Sequence, residues 1–196
     1  MHNNIDTEYI KSLAESLDPS TIVYKEYRFL SYALIEGSKH PMLWSELEEG
    51  VLSYDMLFKE KKLREALQSV GPYLVELDFS SEDRREQSIE ILKRCYGKNS
   101  TIFFATPLDF SQSLQRVRDI FYLRDEQGRD QGIIRFYEPM IFEELVKDNN
   151  DSVVKNLFYH IYCYWCEESK DSSAIIQYRY TSTTIEQTPV TLIKER

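Results

Sequence analysis

Arg135 and Glu138 stand three residues apart in "GIIRFYEPMIFEEL", residues 132–145. Gly132 to Tyr137 is apolar and aromatic except for Arg135, and Pro139 opens an apolar-periodic run to Leu145. The stretch reads as a strand passing directly into a helix. A guanidinium and a carboxylate at such a junction have two uses. They can close an internal ion pair, since an Arg fork satisfies several acceptors at once and ties a corner together. They can also mark a corner, edged by Phe136 and Tyr137, on which a partner docks.

"CYWC", Cys163 to Cys166, has the spacing of a redox pair or half a zinc site. A redox pair sits at a helix N-terminus, whereas these thiols lie inside an aromatic run that reads as a strand. Residues i and i+3 of a strand point to opposite faces, which opposes both a disulfide and a shared metal. Zinc would need two more ligands, and His2, His40 and His160 show no matching spacing. Two reduced packing cysteines are the expected reading. A histidine could be a general base, but no Ser or Cys sits in a nucleophile elbow. The carboxylates of "SELEEG", "SSEDRREQSIE" and "EELVKD" fall on helix surfaces, where solvated faces are the default. No Gly-rich phosphate loop occurs, which disfavours a nucleotide enzyme. No cofactor is expected.

The elements that position these residues follow from periodicity. Ile5, Tyr9, Leu13 and Leu17 lay one apolar stripe on an opening helix. "SYALIEG" (31–37) reads as a buried strand, and "HPMLWSELEEG" as a helix from Pro41 to a Gly50 C-cap. A second helical turn is expected near Lys61 to Leu67. "GPYLVELDF" (71–79) is a strand, followed by a helix capped at Ser80 with Asp83 and stopped by Gly97. "TIFFA" is the next strand, and Thr106, Pro107 and Asp109 are placed at N-cap, N1 and N3 of the helix behind it. Residues 120–137 read as a hairpin, 152–158 as a short helix, and "YHIYCYWCEE" and residues 174–181 as strands. "TPVTLIKER" reads as a loose tail. The class is α/β (α+β), a single domain with a mixed sheet flanked by helices.

Composition narrows the partners. With 24 basic against 33 acidic residues the net charge is −9, and no Lys/Arg stripe appears. Nucleic acid and anionic membrane surfaces are therefore poor partners. The longest apolar stretches are too short to cross a bilayer. "MHNNIDTEYI" has neither a basic n-region nor an apolar h-region, so no export signal is read there. Three cysteines then fit reduced thiols in a cytoplasm.

Four stretches in order carry a family resemblance: "SYALIEGSKHPMLWSEL" (31–47), "MLF" (56–58), "GPYLVEL" (71–77) and "RFYEPMIFEEL" (135–145), with the aromatic "YWCEE" at 164–168. Together they resemble the type VI secretion adaptors, an effector-chaperone group known as domain of unknown function 4123. Tyr32, Leu34, Glu36 and Gly37 match the first motif, Pro72, Tyr73 and Leu74 the second, and Arg135, Phe136, Tyr137, Glu138 and Pro139 the third. Trp165 matches an aromatic near the domain's end. The acidic positions hold Glu where Asp is commoner.

The resemblance implies three parts within one globular unit: a lead-in over 1–29, an adaptor domain over 30–168, and a C-terminal strand and tail over 169–196. It implies a cytoplasmic protein of a Gram-negative bacterium that binds a toxic effector and loads it onto the valine-glycine-repeat (VgrG) spike protein, without catalysis. On that basis Glu36, Tyr73, Arg135, Phe136, Tyr137, Glu138 and Trp165 are candidates for partner binding. Arg135 and Glu138 are expected to fix the corner, while Phe136 or Tyr137 supplies partner surface. The competing readings are an immunity protein that neutralises a cognate toxin, and an enzyme using carboxylates or the two close cysteines.

Overall fold

The structure is a computed structural model that describes residues 3–22, 28–124, 127–147, 151–168, 171–181 and 184–190. His2 and the tail residues 191–196 lie outside them. The chain runs α1 (Asn3–Leu17), β1 (Leu30–Glu36), α2 (Leu43–Glu49), β2 (Tyr54–Met56), α3 (Lys61–Ala66), β3 (Pro72–Leu77), α4 (Glu82–Cys95), β4 (Thr101–Thr106) and α5 (Phe110–Phe121). It continues through β5 (Tyr122–Arg124), β6 (Asp130–Ile133), α6 (Pro139–Lys147), α7 (Asp151–Phe158), β7 (Cys163–Glu168), β8 (Asp171–Thr181) and β9 (Thr184–Pro189).

Seven strands form one sheet in the order β2-β3-β1-β4-β7-β8-β9, and β5 and β6 form a separate hairpin. The α/β (α+β) class holds, but the sheet expected to be mixed is antiparallel at every pairing among the described residues. Helices cover both faces, so the central strands are apolar on alternate residues in both directions, as a twice-covered sheet requires. On one face Ala33, Tyr73, Phe103 and Trp165 pack against α1, α2 and α4. On the other Tyr32, Leu74, Phe104 and Tyr164 pack against α5, α6 and α7. Register aligns Tyr32, Phe104, Tyr164 and Tyr178 across four strands, with Tyr32 and Phe104 stacked at 5.2 Å between centroids. Each such side chain, fully buried, contributes about 1.5–3 kcal/mol of apolar transfer.

Local chemistry sets several boundaries differently from expectation. Asp109, not Thr106, caps α5: its carboxylate accepts from Gln112 N–H at 2.8 Å, and the Gln112 side chain accepts from Asp109 N–H in return. Thr106 remains in β4, its hydroxyl bound to His160 O at 2.6 Å. Ser81 caps α4 without a side-chain bond, and Gly97, at φ 77°, stops it as expected. Leu43, with Met42 as its N-cap, and not Pro41, is the first residue of α2, while Gly50 ends it as expected. Part of the expected tail, through Pro189, is the edge strand β9, so β8 and β9 complete the same sheet.

Candidate functional site

The corner at Arg135 is a turn and not the end of a strand. β6 stops at Ile133, Glu138 N–H closes back on Arg135 O at 3.0 Å, and Pro139 begins α6, whose first bond runs from Phe142 N–H to Glu138 O at 2.9 Å. The turn aims Phe136 and Tyr137 inward among Phe121, Phe142 and Tyr164. Both rings are buried, so neither supplies partner surface as expected from the sequence; the apolar gain of burial outweighs any use at the exterior.

Arg135 stays at the rim, 47% exposed, and reaches two carboxylates. Its Nη2 donates to Glu36 Oε2 at 3.0 Å, and its Nε lies 2.5 Å from Glu138 Oε1. The second contact is a charge contact out of line with the N–H, since Glu138 Oε1 has no aligned hydrogen bond. Glu36 closes β1 and its side chain is 6% exposed. Burial alone would push its carboxyl up, but the Ser38 hydroxyl at 2.7 Å, the Arg135 fork and the Tyr137 hydroxyl outweigh it and hold the carboxyl below the usual range. Burial, with the Glu36 charge beside it, pushes the Tyr137 phenol up. The constellation therefore holds an ionised carboxylate in place against β1. It is a structural tie between the end of β1 and the turn before α6.

The other candidates are also inward. Tyr73 lies on β3 opposite Ile35 and Met56, and its hydroxyl donates to Gln68 O. Trp165, central in β7, is 1% exposed. Of the seven candidates only Arg135 and, in part, Glu138 reach the surface; the other five pack the core or tie it, because they fall on inward strand positions or in the inward turn.

Cys163 and Cys166 face opposite sides of the sheet, as strand alternation requires, and with Cys95 they are free thiols. Burial pushes all three up, Cys95 to about 12. His40 is buried, its Nε2 2.6 Å from Ser100 Oγ, and burial next to Lys98, Arg94 and Lys39 pushes it down to about 4. Such a ring holds its proton poorly and has no path to solvent. Among the described residues no cluster of three or more His, Cys, Asp or Glu could hold a metal, and no helix is long and apolar enough to cross a membrane.

Two constellations were not foreseen from the sequence. Asp55 on β2 binds Arg64 and, at 3.3 Å, Arg118, and the two guanidiniums also donate to the carbonyls of Met56, Leu57 and Phe58. They seal the β2 edge of the sheet. Glu167, buried in β7, accepts from the N–H groups of Gly97 and Asn99, the latter at 2.5 Å, and so fixes the loop after α4. An acidic residue at an inward position of "YWCEE" was the available signal for the second; nothing in the spacing of Asp55, Arg64 and Arg118 marks the first.

The family described as Domain of unknown function (DUF4123) matches residues 31–154, more than half of the chain. The chain belongs to this family. The match spans β1 through α7 and includes six of the seven candidate residues; Trp165 lies beyond it. No curated protein and no solved structure matches the chain.

Proposed function

We propose that this DUF4123 protein is a cytoplasmic adaptor that binds a type VI secretion effector and loads it onto the VgrG spike, by binding alone. Family membership over β1 to α7 is the observation that carries the reading, together with the four motifs quoted above. The geometry is in keeping with it. The motif residues tie the scaffold together from inside, which leaves recognition to the exterior of a rigid body. Reactive groups are withdrawn: the thiols are buried and held protonated, and His40 is sealed behind Ser100. An interface able to carry an effector would bury about 1,200–2,000 Å² in total. Delivery requires release, so affinity of the tightest class is not expected.

Co-purification tests the reading, with the tagged protein expressed in a secreting host. A spike protein recovered together with a large effector is the expected result. A toxin domain recovered alone, with its activity blocked, would replace the adaptor with an immunity protein.

A further inference from the structure

A groove of about 380 Å³ lies on the sheet face where the helical cover ends. The register row through this face runs Phe103, Trp165, Gln177, Thr188 from β4 to β9. It is apolar under α1 and turns polar beyond β7, where Ser16 near the end of α1 and Ile22 beyond the following turn form the opposite wall. That size suits a peptide side chain with part of its backbone.

Two donors lining this groove lack an acceptor. The Trp165 indole Nε1–H is buried with no hydrogen-bond partner. A buried donor left unpaired costs about 1–3 kcal/mol, and native structures rarely carry one without a reason. Arg179 is held over the Tyr162 ring, its guanidinium carbon 4.5 Å from the centroid. Among the described residues no carboxylate pairs with it; Glu186, its register neighbour on β9, is exposed and makes no ion pair there. Gln177 lies between the two, its amide in a weak 3.9 Å contact with Cys163 Sγ. Stacking orients a guanidinium and leaves its in-plane N–H groups to be satisfied.

An indole N–H and an unpaired guanidinium ask for the same partner, an oxygen acceptor carrying negative charge. We propose that this groove is a binding site for a carboxylate on a partner polypeptide. The carboxylate pairs with Arg179, and the loosely held Gln177 side chain gives way to bring one oxygen to the Trp165 indole. On a chain of net charge −9 an acidic segment needs such a local cation to be accepted at all. The site stands whether or not the partner is a secretion effector.

The chain holds two tryptophans, so a ¹⁵N spectrum shows two indole cross-peaks, with Trp44→Phe to assign them. The full-length protein is titrated with the blocked peptides Ac-Gly-Asp-Gly-NH₂, Ac-Gly-Asn-Gly-NH₂ and Ac-Gly-Lys-Gly-NH₂. Ac-Gly-Gly-Gly-OH serves for a chain-terminal carboxylate. The Trp165 peak should move saturably with the Asp peptide, or with the free terminus if that is the source, and not with the Asn or Lys peptides. Arg179→Gln, checked by an otherwise unchanged amide spectrum, should weaken the response by about tenfold or more. If that variant does not fold, Gln177→Glu, which puts a like charge in the groove, should abolish the response. A Trp165 peak that ignores the carboxylates, or answers all peptides alike, overturns the proposal. So does one that shifts undiminished in the variants.

Discussion

Arg135 and Glu36, 99 residues apart in the chain, meet at 3.0 Å. The contact ties the end of β1 to the turn before α6, and it decides what the Arg-Phe-Tyr-Glu-Pro motif is for. Arg135→Ala would leave a buried carboxylate with only the Ser38 and Tyr137 hydroxyls. Because Arg135 is half exposed and water can replace part of it, the expected loss is about 1–3 kcal/mol. For a chain of this length that lowers the melting temperature by about 2–4 °C per kcal/mol. Unchanged melting with lost partner binding would make Arg135 a contact residue instead.

The same pair sets an acid response. Burial works against the Glu36 charge, but Ser38 and Arg135 win, so its folded pKa is below the ordinary 4.5. A depressed acid stabilises the fold fully above its unfolded value and loses that contribution as pH falls through the folded one. The stability gap between wild type and Glu36→Gln should therefore be full at neutral pH and shrink below pH 4.5. Denaturant melts across that range check it; a gap that widens on acidification would mean Glu36 is not held ionised.

Strand alternation made much of this legible. Opposite faces for Cys163 and Cys166 follow from their spacing alone, and the buried β1 follows from a short apolar run. Strand β3, whose alternation near its end reads as half-buried, is buried along nearly all its length because helices cover both faces. The corner was harder. Ile133, Ile134, Phe136 and Tyr137 look like one strand because a tight turn that buries two aromatics has the same composition as a strand that does. That Glu36, and not only Glu138, answers Arg135 depends on strand order, which local pattern does not contain. β9 was missed because Glu186, Gln187 and Thr188 are polar, as an exposed edge strand should be.

The thiols give a sharp check. With the Cys95 thiol pushed up to about 12 and Cys163 and Cys166 raised further by burial, none should react with an aromatic disulfide reagent at neutral pH until the protein unfolds. Reductant should leave the melting temperature unchanged. Rapid reaction of one or two thiols in the native state would reopen the redox reading.

Arg118 guards the β2 edge: its Nη2 donates to Met56 O at 2.7 Å and to Asp55 Oδ2 at 3.3 Å, and its Nε to Leu57 O at 3.1 Å. Arg118→Ala should cost about 1–3 kcal/mol and free edge carbonyls for strand pairing between molecules. Light scattering during a concentration series should then rise in the variant and stay flat in wild type. A variant that is destabilised yet remains monomeric would show that Arg118 only packs.

Gly37 follows Glu36 in the first motif and explains why that motif ends in glycine. Its N–H donates to Gly71 O at 3.1 Å, and a Cβ built on it would fall 2.3 Å from that oxygen and 3.1 Å from Val70 C. Backbone, not a flexible side chain, is in the way, so the β1 and β3 ends would have to part. Gly37→Ala should therefore cost about 3 kcal/mol, the upper end for overpacking a fixed site. Because β1 lies between β3 and β4, parting these ends also loosens the Glu36 tie to Arg135. Urea unfolding should show a lower midpoint with an unchanged slope, the sign of lost native stability rather than an altered unfolded state. A change within about 0.5 kcal/mol would mean the strands separate freely there, and the glycine would then need a reason outside the fold, in a partner that approaches the backbone at that corner.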